Sequence, residues 1–412
     1  MNKPTVVILA AGQNSRFFPF NTKTHKGNLE LLGQPIIFRT LRNLESNGFR
    51  DVVIVVSEKD DGGQGLSKLL ENFHSDLAIN LVTQKEATGM GDALLAAQDF
   101  LKDQFLVIRP GLIKAGEISQ ELLAKNEPIV LCGIKTKEPW LYGIFELEAD
   151  RAVGLIEKPK KGSEPSNLKI ELIYLLNQNF LQVLKEIETQ EYAFEVALDK
   201  LLKQKAVPLV TFDTEFPSLK LPWQLFDFQK ELLINQESFI DPTAEIAPTA
   251  VIDETDGPVY IDTGAKVGHA ARIVGPSYLG KNSLVGDFSF VRQSSLEQGS
   301  VVGANSELVR SIIMRESTYH FGYIADSIIG QNVEIGAGII TANKRLDREL
   351  VKTKVKDELM SSERPALGAI IGHHAKLGIS VRTMPGVIIG SEAIIHPSVT
   401  VKKNVGHKEI IK

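Results

Sequence analysis

Two stretches of this sequence hold side chains whose types and spacing suit chemistry. The first, Leu9-Ala10-Ala11-Gly12-Gln13-Asn14-Ser15-Arg16, closes the apolar run that begins at Val6. A loop at the end of a strand turns backbone N–H groups toward an anionic ligand, and an arginine adds a charge-assisted clamp. Asn14 tolerates a left-handed backbone, so a tight turn survives there without glycine. Downstream, Gln84 precedes Thr88-Gly89-Met90-Gly91; a Gln amide both donates and accepts, which suits it to reading the edge of a pyrimidine. The second stretch is His320-Phe321-Gly322-Tyr323-Ile324-Ala325-Asp326-Ser327, followed by Ile335-Gly336-Ala337-Gly338 and Asn343. An imidazole that titrates near neutrality is the usual base for freeing an amine before it attacks an acyl carbon. The bland alternative is that His320 is one of eight histidines and merely decorates a regular face.

The elements that must position the first stretch alternate between strand and helix. Val6–Ala11, Val52–Val56, Leu81–Thr83 and Phe105–Ile108 read as buried strands. Pro35–Asn47, with Ile37, Leu41 and Leu44 at helical spacing, and Gly91–Leu101 read as helices. This alternation implies a mostly parallel sheet covered on both faces, a Rossmann-like α/β domain whose ligands bind beyond the carboxyl ends of the strands.

From about Ile240 the pattern changes. Ile240, Ile246 and Ile252 are six apart, as are Ile261, Val267, Ile273, Leu279, Val285 and Val291 after one slip. The spacing returns at Ile329 and Ile335, at Ile371 and Leu377, and at Ile389, Ile395 and Val401, often with Gly next in line. A hexapeptide period matches neither the 3.6 of a helix nor the 2 of a strand. It fits a parallel β-helix with one apolar residue inward per face and small residues at the corners. The polar stretch Asn343–Gly368 reads as an arm thrown out from one corner. The expected domains are residues 1–236 and 237–412.

At 412 residues the chain exceeds one ordinary domain. A net charge of −5 excludes a global pull toward nucleic acid or membrane. The single cysteine, Cys132, rules out an internal disulfide, and its apolar setting fits a reducing compartment. No cleavable or spanning segment precedes Val6, so cytoplasm is the expected location.

The first stretch resembles the signature loop of sugar-1-phosphate nucleotidyltransferases, Leu-Ala-Ala-Gly-x-Gly-Thr-Arg. Lys26 with Gly33-Gln34-Pro35 resembles that family's Pro-Lys…Gly-Lys-Pro block, with His25 in place of the proline. The resemblance implies catalytic roles for Arg16 and Lys26, and nucleotide binding by Leu9, Ala10, Ala11, Gly12, Gln84 and Gly89. It further implies sugar-phosphate binding by Gly143, Glu157, Lys158 and Asn167. The substrates would be a sugar 1-phosphate and a nucleoside triphosphate, UTP or dTTP. One departure concerns Mg²⁺. The family's metal-binding Asp corresponds here to Gly111 in Ile108-Arg109-Pro110-Gly111, leaving Asp227, near Trp223, as the candidate ligand; Arg109 offers phosphate neutralisation in its stead.

The second stretch resembles the acetyltransferase half of bifunctional glucosamine-1-phosphate acetyltransferase/N-acetylglucosamine-1-phosphate uridylyltransferases, including the archaeal type. That likeness implies a left-handed parallel β-helix with acetyl-CoA as co-substrate, and His320 as general base. Arg310, Tyr323, Asn332, Asn343 and Lys352 would be substrate-binding. Arg310 stands beside the position of the family's lysine, and Ala325 replaces its glycine. Flat prism walls predict a homotrimer, with the arm reaching a neighbouring prism. Three readings are open: a bifunctional enzyme, a single-function enzyme with a degenerate nucleotidyltransferase half, and a non-catalytic sugar-nucleotide-binding regulator.

Overall fold

The structure is a computed structural model that describes residues 3–12, 14–21, 25–58, 65–86, 88–356 and 358–412. The chain divides into two compact units. One comprises Met1–Gln13 and Pro35–Phe216; the other comprises Asn14–Gln34 and Pro217–Lys412.

The first unit is built on a nine-stranded sheet. Its strands are β1 (Thr5–Ala10), β2 (Asp51–Ser57), β3 (Ala78–Gln84), β4 (Gln104–Ile108), β5 (Val130–Lys135), β6 (Gly143–Glu148), β7 (Arg151–Glu157), β8 (Leu168–Asn177) and β9 (Val207–Phe212). Their order is β3-β2-β1-β4-β8-β5-β9-β7-β6. The four strands read from the sequence are mutually parallel. Beyond β4 the expectation of a mostly parallel sheet fails: β8 runs antiparallel to both β4 and β5, and β6 and β7 form a hairpin joined by Ala149 and Asp150 alone. Two residues can reverse a chain but cannot cross a sheet, so β6 and β7 pair antiparallel, whereas β5 and β9, with the helices Gln178–Lys185 and Ala193–Gln204 between them in sequence, remain parallel.

Alternate residues of the central strands bury opposite faces. Val7, Val53 and Val107 enter one core; Val6, Ile8, Ile54 and Ile108 enter the other. Helix α1 (Ile36–Ser46) seats Ile37, Leu41 and Leu44 in the second core at the expected spacing, and α2 (Met90–Ala96) seats Ala93 and Leu94 in the first.

In the second unit α3 (Leu225–Ile234) leads into a left-handed parallel β-helix of three sheets with eight, nine and eight strands. One column of apolar side chains, among them Ile261, Leu279, Leu296, Ile313, Ile329, Ile371 and Ile389, fills its interior. The step between stacked partners is 18 residues from Ile261 to Leu279, three hexapeptides, but 17 from Leu279 to Leu296 and 16 from Ile313 to Ile329. The gap in the sequence pattern between Val291 and Ile329 is therefore no break in the prism: one or two corners per coil are a residue shorter.

A serine ladder makes the short corner possible. Ser277, Ser294, Ser311 and Ser327 are all buried, and each donates to a carbonyl of its own coil. Each accepts the N–H of the next coil, from Ser294, Ser311, Ser327 and Ala369 at 3.0–3.3 Å. The hydroxyls thus satisfy backbone groups that the shortened turn would strand.

The Asn343–Gly368 arm is not thrown outward. It forms a hairpin of Lys352–Val355 with Glu358–Ser361. Val351, Thr353 and Val355 are buried, Leu367 N–H donates to Asn343 O to close the base, and Asn404 Nδ2 donates to Lys354 O. The alternation Val351-Thr353-Val355 gives the hairpin one apolar face, and the unit's own prism buries it. Among the described residues no helix is long and apolar enough to cross a membrane.

Candidate active sites

In the first unit Leu9–Gly12 ends β1, and Gln84 ends β3. Ala10 lies level with Val56, and Gln84 with Ser57, so the two strand ends share one sheet edge with β2 between them, about 10 Å apart. Gly12 is exposed, and among the described residues a Cβ built on it would meet nothing within 4 Å, so the backbone there leaves room for a ligand. Gln13 lies outside the described residues. Gln84 is buried, and its amide nitrogen donates to Gly89 O at 3.2 Å and Asp92 Oδ2 at 2.9 Å. The donor face is thus spent on the turn, which leaves the Gln84 carbonyl as its reading group. Gly89 has φ +120°, and a Cβ there would fall 2.5 Å from Glu191 O, so only glycine fits.

The β6–β7 hairpin brings Gly143 opposite Glu157, whose carboxylate would lie 2.8 Å from a Gly143 Cβ. Lys158 follows with a left-handed backbone, its N–H donating to Tyr142 O at 3.0 Å. Glu157 and Lys158 are exposed, as is Asn167, whose carbonyl accepts Thr136 N–H. Sequence reasoning missed Glu195. Burial pushes its carboxyl pKa up, with Glu157 and Glu191 adding to the rise. Also missed were two ion pairs, Arg109–Glu171 at 2.7 Å and Lys169–Glu215 at 2.6 Å. The first changes the reading of Arg109, because its charge is already matched by a carboxylate at a nearly buried position. Lys169 further sits 4.3 Å from the Tyr142 ring centroid.

Arg16 and Lys26 belong to the Asn14–Gln34 segment and hence to the second unit. Asn14 has φ 52°, the left-handed conformation expected of it, and opens a short turn on which Arg16 is exposed. His25 is buried and its Nδ1 accepts Gly27 N–H at 3.1 Å, capping the turn that Lys26 begins. Burial, aided by the Lys26 charge, lowers the His25 pKa to about 3. Asp227 also lies in the second unit, its carboxylate paired with Arg364. The nearby Gln224 spends its carbonyl on the N–H groups of Lys220 and Leu221. Mg²⁺ takes oxygen ligands, chiefly carboxylates and phosphates. Gly111 offers no side-chain oxygen, Asp227 is engaged by a guanidinium, and no group of three or more His, Cys, Asp or Glu is arranged for a metal among the described residues. These donors do not fit the ion.

On the β-helix, His320, Asn332, and Arg310 with Asn343 occupy three different corners, while Tyr323 lies on a strand and Lys352 on the arm. His320 is exposed at the turn between Thr318–Tyr319 and Gly322–Ala325. Tyr323 stands on that second strand, between Glu307 and Ile340 in the ladder. At the far end of the same face lie Arg310 and Asn343, held by a residue that was not singled out as a ligand. Asp326 receives Arg310 Nε and Nη2, each at 2.7 Å, and Asn343 Nδ2 at 2.6 Å. This bidentate pair raises the Arg310 pKa and keeps its fork in one orientation. Burial raises the Tyr323 pKa, with Glu307 and Asp326 contributing. Asn332 caps another corner, between the first two faces, and Lys352 is exposed on the arm. Beside Tyr323 runs an open apolar groove with Phe288, Phe321 and Ile340 exposed along it.

A nucleotidyl transferase family model matches residues 5–216. A bifunctional sugar-1-phosphate nucleotidylyltransferase/acetyltransferase of Sulfurisphaera tokodaii is 33% identical over 98% of this chain and 99% of its own length. The bifunctional protein GlmU of Methanococcus vannielii is 29% identical over 98% of this chain and 96% of its own length. Its counterpart in Methanocaldococcus jannaschii is 30% identical over 97% and 95%.

Proposed function

We infer, from a chain that belongs to the nucleotidyl transferase family and continues into a left-handed β-helix, a bifunctional sugar-1-phosphate nucleotidylyltransferase and acetyltransferase. The observation that carries this reading is similarity to such enzymes through both units rather than one. Residues 1–236 and 237–412 are the two catalytic halves, and the free, buried thiol of Cys132 fits a cytoplasmic enzyme.

In the acetyl half, the amino group of an amino-sugar phosphate attacks the thioester carbonyl of acetyl-CoA. His320 takes the proton, the C–S bond breaks, and CoA leaves as the thiol. Tyr323, Asn343 and the Asp326-held Arg310 orient the acceptor. Within one prism Asn332 and Lys352 lie apart from His320, and the Phe288–Phe321–Ile340 groove is uncovered; both features support a homotrimer with the acetyl-CoA site shared between prisms.

In the nucleotidyl half, a phosphate oxygen of the sugar 1-phosphate attacks the α-phosphorus of UTP or dTTP, and the bond to the β-phosphate breaks to release pyrophosphate. Gly12 and its neighbours offer N–H groups, Arg16 and Lys26 offset phosphate charge, and Glu157 and Lys158 hold the sugar phosphate. The absence of a carboxylate at Gly111 favours slow metal-assisted transfer. Substituting Gly111→Asp, at φ 80° where Asp is tolerated, should raise pyrophosphate release in Mg²⁺. The direct test incubates the protein with a triphosphate, sugar 1-phosphates, acetyl-CoA and Mg²⁺, and assays pyrophosphate and CoA separately. Absence of either product across these substrates removes that half of the assignment.

A further inference from the structure

Glu297 does not belong to the repeat. It follows the inward Leu296, a position held in stacked coils by Gly280, Met314, Gly330, Gly372 and Gly390. It is nonetheless fully buried. A buried carboxylate at a corner meant for small residues is costly unless donors meet it. They come from the Asn14–Gln34 segment of the same unit: Leu32 N–H reaches Oε1 at 2.8 Å and Gly33 N–H reaches Oε2 at 2.9 Å.

The turn so held is unusual in itself. Leu32 and Gly33 have φ of 49° and 70°, and leucine rarely adopts a left-handed backbone. Such a conformation persists where surrounding contacts over-determine it. A Cβ on Gly33 would fall 2.5 Å from the Tyr278 hydroxyl. Farther along, Arg315 faces Glu30 at 3.5 Å, the Phe20 and His373 ring centroids are 5.2 Å apart, and Ser391 Oγ donates to Pro19 O at 2.9 Å. These contacts follow one prism corner from coil to coil, so Pro19, Phe20, Glu30, Leu32 and Gly33 of the segment are strapped along the β-helix.

We propose that Glu297 is a positioning residue for nucleotidyl transfer: by fixing the Leu32-Gly33 turn it sets the strap that carries Arg16 and Lys26. The inference rests on the reading of those two cations given above.

The test uses the full-length protein, with CoA release as the internal control. Glu297→Ala should lower kcat/KM for the triphosphate about ten-fold or more, while CoA release stays within about two-fold of wild type. Glu297→Gln, which keeps one acceptor oxygen, should recover part of the loss. In a Lys26→Ala background Glu297→Ala should add little, because both changes act through one element; fully additive losses overturn the proposal. Should Glu297→Ala lose both activities, the exposed-turn variant Gly33→Ala decides in its place. A Lys26→Ala enzyme with normal pyrophosphate release overturns the functional reading and this inference together. An impaired Lys26→Ala enzyme beside normal Glu297→Ala and Gly33→Ala enzymes overturns the inference alone.

Discussion

Gly12 and Gly303 show how differently the two units use one residue type. Among the described residues a Cβ on Gly12 would touch nothing within 4 Å, whereas one on Gly303 would lie 1.8 Å from His320 O. Glycine in the β-helix is a packing requirement, since each corner stacks directly on the next. Glycine just beyond β1 is a clearance, which suits close approach of an anionic ligand to the backbone. The same contrast holds for charge. On the prism, Arg310, Asp326 and Asn343 meet because stacking brings residues 16 or 17 positions apart into register. In the α/β unit, Arg109 and Glu171 meet through strand order alone, 62 positions apart. The prism thus presents a periodic array of side chains, and the sheet gathers its polar groups from positions distant in sequence.

The comparison breaks most sharply at His320. His320→Ala should reduce CoA release by about 10²–10⁴-fold, the usual loss for a positioned base, and leave pyrophosphate release unchanged. A variant that retains CoA release removes His320 from the chemistry and leaves the prism a scaffold.

Paired alanine substitutions at the two glycines test the distinction between clearance and packing. Gly303→Ala should lower thermal stability and reduce CoA release together, by displacing the His320 corner. Gly12→Ala should leave the melting temperature unchanged yet reduce pyrophosphate release about ten-fold, if phosphates approach the backbone there. Equal melting temperatures for both variants would erase the distinction.

A smaller effect is expected at Asp326. Asp326→Asn loses the bidentate pairing, at a cost of about 1–3 kcal/mol in urea unfolding. It should raise KM for the amino-sugar phosphate more than it lowers kcat, since the residue orients Arg310 and Asn343 without reaching the acyl carbon. A pure kcat effect would place Asp326 in the reaction itself.

A further effect concerns pH. His25 is neutral when folded, with a pKa near 3 against an ordinary value near 6.5. The unfolded chain therefore binds more protons between those values, so the contribution is complete above about pH 6.5 and is lost as pH falls toward 3. Its slope is at most about 1.4 kcal/mol per pH unit. His25→Gln, whose carbonyl can still accept from Gly27, should flatten the acid limb of the stability profile. An unchanged profile would mean that other groups dominate it.

Short-range regularity was open to reading in the chain itself. A six-residue apolar period dictates one inward side chain per face, so the β-helix follows from steric repetition. The buried strand Val6–Ala10, the Ile37-Leu41-Leu44 stripe of α1 and the left-handed Asn14 likewise depend on local pattern and backbone preference. The tertiary structure alone decided the antiparallel half of the sheet, the inward folding of the arm and the serine-laddered short corners. It also decided the partners of the charged groups: Asp326 for Arg310 and Asn343, Glu171 for Arg109, Arg364 for Asp227, and Glu297 for the Leu32-Gly33 turn. The physical reason is common to all of them. A period reports which way a side chain faces, but a charge is satisfied by whatever the fold brings within about 3 Å, and no local spacing encodes that meeting.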